Sequence, residues 1–193
     1  WADREWDKIW TKTWQIAGLS AQLQKQGDWL TADFGPETIV CVRGENDVVR
    51  AFYNVCQHRG MPVVSGAQGS AKRLVCPYHG WAYDFAGKLK TVPDEADFIQ
   101  GSPCGKLNLI EVKCEVWAGF VWINMDDNAR PLREFLGPIA AQIDTYPMDK
   151  MVRTHWMTIE GNFNWKLIQD NFNESYHVPF VHPQTKFVME YSH

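Results

Sequence analysis

The stretches CQHRG at residues 56–60 and CPYHGW at residues 76–81 decide how this chain folds, because each brings one thiol and one imidazole into a turn. One residue separates Cys56 from His58, two separate Cys76 from His79, and seventeen lie between the pairs. Gly60, Pro77 and Gly80 disfavour regular helix or strand there and allow close backbone approach, so that amide N–H groups can point at sulfur. A Cys2His2 zinc site is one use of such a set. Zinc motifs, however, usually pair like with like, two Cys and then two His on a knuckle and a helix. Here the pairs are mixed, and both lie where strands give way to loops.

Working outward, strand-like runs flank both turns: DWLTADF (28–34), ETIVCVRG (37–44), VVRAFYNV (48–55), KRLVCPY (72–78), GWAYDF (80–85), KLKTV (88–92), LIEVKCEV (109–116) and GFVWINM (119–125). Gly, Pro, Asn and Asp turns separate them at spacings that suit an antiparallel sandwich or small barrel, so residues 14–124 are expected to form an all-β domain. Ahead of it, ADREWDKIWTKT (2–13) sets Trp6, Ile9 and Trp10 at helical spacing, predicting a leading helix within residues 1–13. Beyond it, ARPLREFLGPIAAQIDTY (129–146) reads as helical on both sides of Gly137 and Pro138, and MVRTHWMTIEG (151–161) as a strand. NFNWKLIQDNFNESYH (162–177) then reads as a helix whose extension Pro179 blocks. Residues 125–193 are therefore expected to begin a second domain, which QTKFVMEYSH (184–193) leaves incomplete; with Trp1 in place of Met, the sequence is expected to start inside a longer chain.

With 45% hydrophobic and 22% charged residues, the 193-residue chain can bury one good-sized core or two smaller ones. Net charge is -4 and no Lys/Arg run exceeds two residues, which argues against a nucleic-acid partner. No apolar run approaches the roughly 20 residues a membrane helix requires, so no membrane partner is expected and the cytoplasm is the expected compartment. Of five cysteines, Cys41 and Cys114 fall inside strand-like runs and read as small buried hydrophobes, while Cys104 is a loop thiol without a nearby His.

A 2Fe-2S cluster with two thiolates on one iron and two imidazoles on the other meets what mixed pairs on two facing loops can offer. Cys56 and Cys76 would hold the inner iron, His58 and His79 the outer one. CQHRG and CPYHGW resemble the ligand loops of Rieske proteins. Met61 and Tyr78 stand where the respiratory and photosynthetic members carry an extra cysteine pair, so the likeness is to the soluble ferredoxin and oxygenase branch.

A second constellation lies in DNFNESYHVPFVH (170–182), where Asp170, Glu174 and His177 would share one helix face and His182 would follow from the turn after Pro179. Two carboxylates at this spacing repel one another, a difficulty a nearby cation removes. Two imidazoles with a carboxylate suit non-haem iron(II); a polar helix end with two surface histidines accounts for the same residues. NWKLIQDNFNESYHVPFVH (164–182), coming after the Rieske-like loops, resembles the catalytic alpha subunit of Rieske non-haem iron oxygenases, the aromatic ring-hydroxylating dioxygenase family.

That resemblance implies an α+β chain: an all-β Rieske domain followed by the start of a helix-grip, START-like catalytic domain. It implies a Rieske 2Fe-2S cluster on Cys56, His58, Cys76 and His79, and a mononuclear Fe(II) on His177 and His182. Glu174 would be the bridging carboxylate between His177 and the partner subunit's His79. Asn171 matches a polar position near the iron, though a helix-surface amide explains it equally. The third iron ligand is an Asp far beyond residue 182; Asp170, two helical turns from His177, is too distant to replace it. The implied function is that of a terminal oxygenase that activates O2 to hydroxylate or oxidatively dealkylate an aromatic or amine substrate. Its electron donor would be an NAD(P)H-dependent reductase or ferredoxin, and its assembly a homotrimer or an alpha/beta hexamer. Many ring-dihydroxylating members carry Asp where this chain has Glu174, and Glu occurs in members acting on quaternary amines. A Rieske-type electron carrier without catalytic iron is the alternative.

Overall fold

The computed structural model describes residues 1–155 and 157–184. Its β-structure is two antiparallel sheets. The larger runs in the order β1 (Gln15–Leu19), β10 (Phe120–Asn124), β9 (Glu111–Trp117), β4 (Val49–Tyr53), β3 (Glu37–Arg43), β2 (Asp28–Phe34) and β5 (Gln68–Ser70). It curls so that β1 comes back against β2. The smaller sheet holds β6 (Leu74–Val75), β7 (Ala82–Tyr83) and β8 (Leu89–Thr91).

Strand β3 explains why the run IVCV (39–42) is apolar at every position instead of alternating. Ile39 and Cys41 point into one core, with Leu30, Ala51, Val112, Val121 and Ile123. Val40 and Val42 point into another, with Trp29, Phe52, Cys56, Cys76, Trp81 and Tyr83. The strand is buried on both faces, as continuous hydrophobic runs predict. Each such valine or isoleucine contributes about 1.5–3 kcal/mol of burial. Cys41, fully buried, serves as the small core residue expected of it, and Cys114 packs at the edge of the same core.

The loop between β4 and β5 carries Cys56 and His58, and a single buried amide pins it. Asn54 accepts the backbone N–H groups of Val63 and Val64 on Oδ1, at 2.9 and 3.1 Å, and donates from Nδ2 to the Val64 carbonyl at 2.9 Å. Its own N–H donates to Thr38 O at 2.8 Å, which ties the loop to β3. At the other end of the small sheet, Asp84 accepts the amides of Ala86 and Lys88, closing a turn in which Gly87 has φ +76°. A Cβ at Gly87 would stand 2.4 Å from the Phe52 ring, so this turn fits only against glycine.

Three expected elements differ. The leading helix stops at Trp10: α1 (Ala2–Glu5) passes into a wider turn over Trp6–Trp10, in which the Thr11 amide reaches back to Trp6 O. Residues 151–155 and 157–161, expected as a strand, adopt none, since no described strand offers them a hydrogen-bonded neighbour. Position 156 lies outside the described residues. The helix expected over 162–177 is only α4 (Trp165–Phe172), capped by Asn164, whose Oδ1 accepts the Lys166 amide. It ends at Asn173, and α5 (Val178–Val181) begins anew with Pro179 in its first turn, where a missing N–H costs nothing. The two helices expected on either side of Gly137 are present as α2 (Leu132–Leu136) and α3 (Pro138–Ile143).

Two compact units result, Trp1–Val152 and a second beginning at Arg153. The stretch 184–193, expected to leave the second domain without a closing element, lies outside the described residues from 185 onward. Replacing Asn54 by Ala strands two amides and a carbonyl in the interior; we expect a loss of about 3 kcal/mol in chemical denaturation.

Candidate metal centres

The two loops singled out by the sequence are the same turn built twice. In each, the cysteine carbonyl accepts the amide of the glycine four residues on, at 3.0 Å in both, and the cysteine amide donates to the carbonyl five residues on: Met61 at 2.8 Å, Trp81 at 2.9 Å. Gly60 and Gly80 close the turns with φ of +73° and +70°, a region that L side chains rarely adopt. The glycine amides are thereby committed to the cysteine carbonyls. A backbone N–H does point at sulfur as expected: that of His58 is directed at Cys56 Sγ.

Depth sorts the donors. Cys56 and Cys76 are 1% and 2% exposed, His79 is half-buried and His58 lies at the surface. The imidazoles face one another edge to face with centroids 4.6 Å apart, and the Trp81 indole stacks on His58 at 4.7 Å and 7°. Tyr78 covers His79 at 3.9 Å. Beneath them Tyr83, wholly buried, places its hydroxyl 3.3 Å from Cys56 Sγ and accepts the Gln57 amide at 3.2 Å. Neither Tyr83 nor the Trp81 stack was foreseen. A tyrosine seven residues after Cys76 within GWAYDF is a signal only once the turn is known.

Electrostatics fit these residues to a metal cluster. Burial pushes the Cys56 thiol above its ordinary range, and the neighbouring Cys76 adds to this, so paired thiolates here call for a cation. Burial also drives the Tyr83 phenol well above the usual tyrosine range, so it remains a proton donor to sulfur. Desolvation, followed by His79 and Arg59, lowers His58, keeping the imidazole neutral as a ligand must be. His79 Nδ1 is buried and makes no hydrogen bond, an orphaned lone pair of the kind a metal satisfies. The donors are two pairs, thiols below and imidazoles above, and a two-iron cluster accepts that division.

In the second unit, Glu174 holds His177 twice: Oε2 accepts the His177 amide at 3.1 Å, and Oε1 meets ring Nδ1 in a short contact. That contact is the main cause of the lowered Glu174 pKa. With Nδ1 engaged, Nε2 is the nitrogen left to bind a metal. Helix α5 sets the His182 ring 5.4 Å from that of His177 at 77°. The structure thus brings Glu174, His177 and His182 together, but through a turn. Asp170 and Asn171 belong to α4, which ends before Glu174, so the single helix face expected to hold Asp170, Glu174 and His177 does not form. Both are exposed. Lys166 lies over the Trp165 ring at 5.1 Å, a cation–ring contact within α4.

Comparison with known proteins agrees with this layout. The model of the Rieske [2Fe-2S] domain matches residues 13–113, and that of the ring hydroxylating alpha subunit (catalytic domain) matches residues 148–192. The carnitine monooxygenase oxygenase subunit of Escherichia coli (strain K12) is 35% identical over 188 residues, 94% of this chain and 49% of its own length. The glycine betaine monooxygenase oxygenase subunit of Pseudomonas aeruginosa (strain UCBPP-PA14) is 31% identical over 179 residues, 92% of this chain and 41% of its own. Among solved structures, a quaternary ammonium Rieske monooxygenase in complex with L-carnitine superposes with a TM-score of 0.89 at 31% identity, covering 97% of this chain and 54% of that one. The chain spans about half the length of the curated relatives it matches. With a cluster-domain match over more than half its residues and the catalytic-domain match following in order, this chain belongs to the Rieske oxygenase alpha subunits, a family whose two domains imply a Rieske 2Fe-2S cluster and a mononuclear iron.

Proposed function

We propose that this chain forms the cluster domain and the beginning of the catalytic domain of an oxygenase subunit that oxidises a quaternary ammonium compound of the carnitine and betaine class. The observation that carries the reading is the doubled Cys/His turn with its orphaned His79 Nδ1, in one chain with the Glu174, His177 and His182 group. The relatives whose names mention carnitine and glycine betaine supply the substrate class. Glu174 in place of Asp is in keeping with it, and an aromatic substrate is the less supported choice.

In this reading Cys56 and Cys76 hold one iron of the cluster, His58 and His79 the other, while His177 and His182 are two ligands of the mononuclear iron. The cluster supplies one-electron transfer, and the iron supplies activation of dioxygen. Glu174 keeps the His177 proton on Nδ1 and so presents Nε2 outward. Tyr83 donates a proton to the Cys56 sulfur without losing it, Trp81 fixes the His58 ring by stacking, and the buried thiols keep water from the sulfur side. A reductase or ferredoxin would supply electrons at the exposed His58 edge. Glu174 would link His177 to the partner subunit's His79 in a trimeric ring. Asn171 remains a candidate for a polar role near the iron.

Three measurements on the full-length protein test this. Anaerobic purification should give about three irons and two sulfides per chain, and two irons with two sulfides after iron(II) addition would leave an electron carrier. Replacing Tyr83 by Phe should keep the cluster and lower its reduction potential by about 40 mV, the equivalent of one weak hydrogen bond to sulfur, as read by redox titration. Substituting Glu174 by Ala should leave the cluster absorbance and electron paramagnetic resonance unchanged while carnitine-dependent O2 consumption falls at least about tenfold. Normal turnover in that variant would remove Glu174 from its role.

A further inference from the structure

The leading segment and the β2–β3 hairpin enclose a pocket that contains none of the Cys and His donors. Trp6, Trp10, Gln15, Asp33, Phe34 and Gly35 line this pocket of about 280 Å³, wholly within the first compact unit. The wide turn over Trp6–Trp10, held by the Thr11 amide and hydroxyl on Trp6 O at 3.1 Å each, brings both indoles to one side of the leading segment. Trp6 sits directly on the hairpin turn, because a Cβ at Gly35, whose φ is +54°, would stand 2.7 Å from its ring. All three aromatic side chains are only half-buried. Asp33 lies at the rim, with one carboxylate oxygen accepting the Thr38 hydroxyl at 2.7 Å. The lining carries this one negative charge and no positive one.

Three electron-rich ring systems beside a carboxylate form an environment that attracts an organic cation whose methyl groups contact ring faces while its charge remains near the acid. Neutral ligands would gain only the apolar contact, and anions would meet Asp33. The volume lies just below that of pockets for drug-sized ligands, about 300–1,000 Å³, which suits a headgroup such as trimethylammonium. We infer that this pocket is an accessory binding site for a quaternary ammonium ion, built from residues other than Glu174, His177 and His182. The inference rests on the pocket lining and holds whether or not the oxygenase proposal does.

The test is titration of the full-length protein with choline and with its uncharged isostere 3,3-dimethylbutan-1-ol, followed by calorimetry and by saturation-transfer NMR of the methyl protons. Choline should bind, the alcohol should not displace it, and Trp6→Ala and Asp33→Asn should each weaken one binding event about tenfold with turnover unchanged. Asp33 is exposed, so Asp33→Asn keeps the fold and decides the matter if Trp6→Ala does not. Identical choline binding in the wild type and Asp33→Asn would overturn the inference. Equal competition by the alcohol would also overturn it, reducing the pocket to an apolar groove. A parallel loss of binding and turnover would assign the residues to the substrate's own route and overturn the accessory role, whereas loss of turnover in Glu174→Ala alone bears only on the oxygenase reading.

Discussion

Everything at the cluster end of this molecule depends on one hydrogen bond made twice: a cysteine carbonyl receiving the amide of a glycine four residues later. Turning the chain back after that bond, so that the next residue's carbonyl accepts the cysteine amide, takes a left-handed residue, and glycine supplies it in both loops. The closure turns the thiol inward and lifts the imidazole outward. It also absorbs the difference in spacing, since His58 follows its cysteine by two residues and His79 by three, yet their rings meet at 4.6 Å. A donor set that looks irregular in one dimension becomes nearly symmetric in three.

Those turns hold their positions because the sheet behind them is buried on both sides. Strand β3 contributes alternate residues to two cores, one inside the curled sheet and one between the sheet and the ligand loops. The second core contains both cysteines and Tyr83, so the residues suited to hold iron are also packing residues. Asn54 extends the same logic to polar groups: its side chain replaces the strand partners that Val63 and Val64 lack.

The two Cys/His pairs could be picked out in the sequence as candidate cluster donors, because chemistry restricts which residues can ligate and glycine marks the turns. The strand-rich middle was legible from its turn residues, although β1 and β5 escaped notice: QIAGL and QGS show no alternation that would distinguish them from loop. The long helix before His177 was misread for a physical reason. NFNWKLIQDNFNESYH has helical periodicity, but a run of Asn, Glu and Ser after Phe172 favours local side-chain hydrogen bonds over continued helix, and Glu174 bonds to the amide of His177 instead. Tyr83 and the stacked Trp81 could not be read, since their roles come from contacts between separate loops.

The smaller sheet has strands of only two or three residues, too short to stand alone, and it carries one of the two ligand turns. A metal cluster gripping Cys56 from one sheet and Cys76 from the other would act as a crosslink across this seam, shortening the free loop of chain as a disulfide does. Iron loading and completion of the fold would then be a single event. In a cell short of iron the limiting species would be a half-assembled domain with a loose hairpin, exposed to proteolysis before it ever meets an electron.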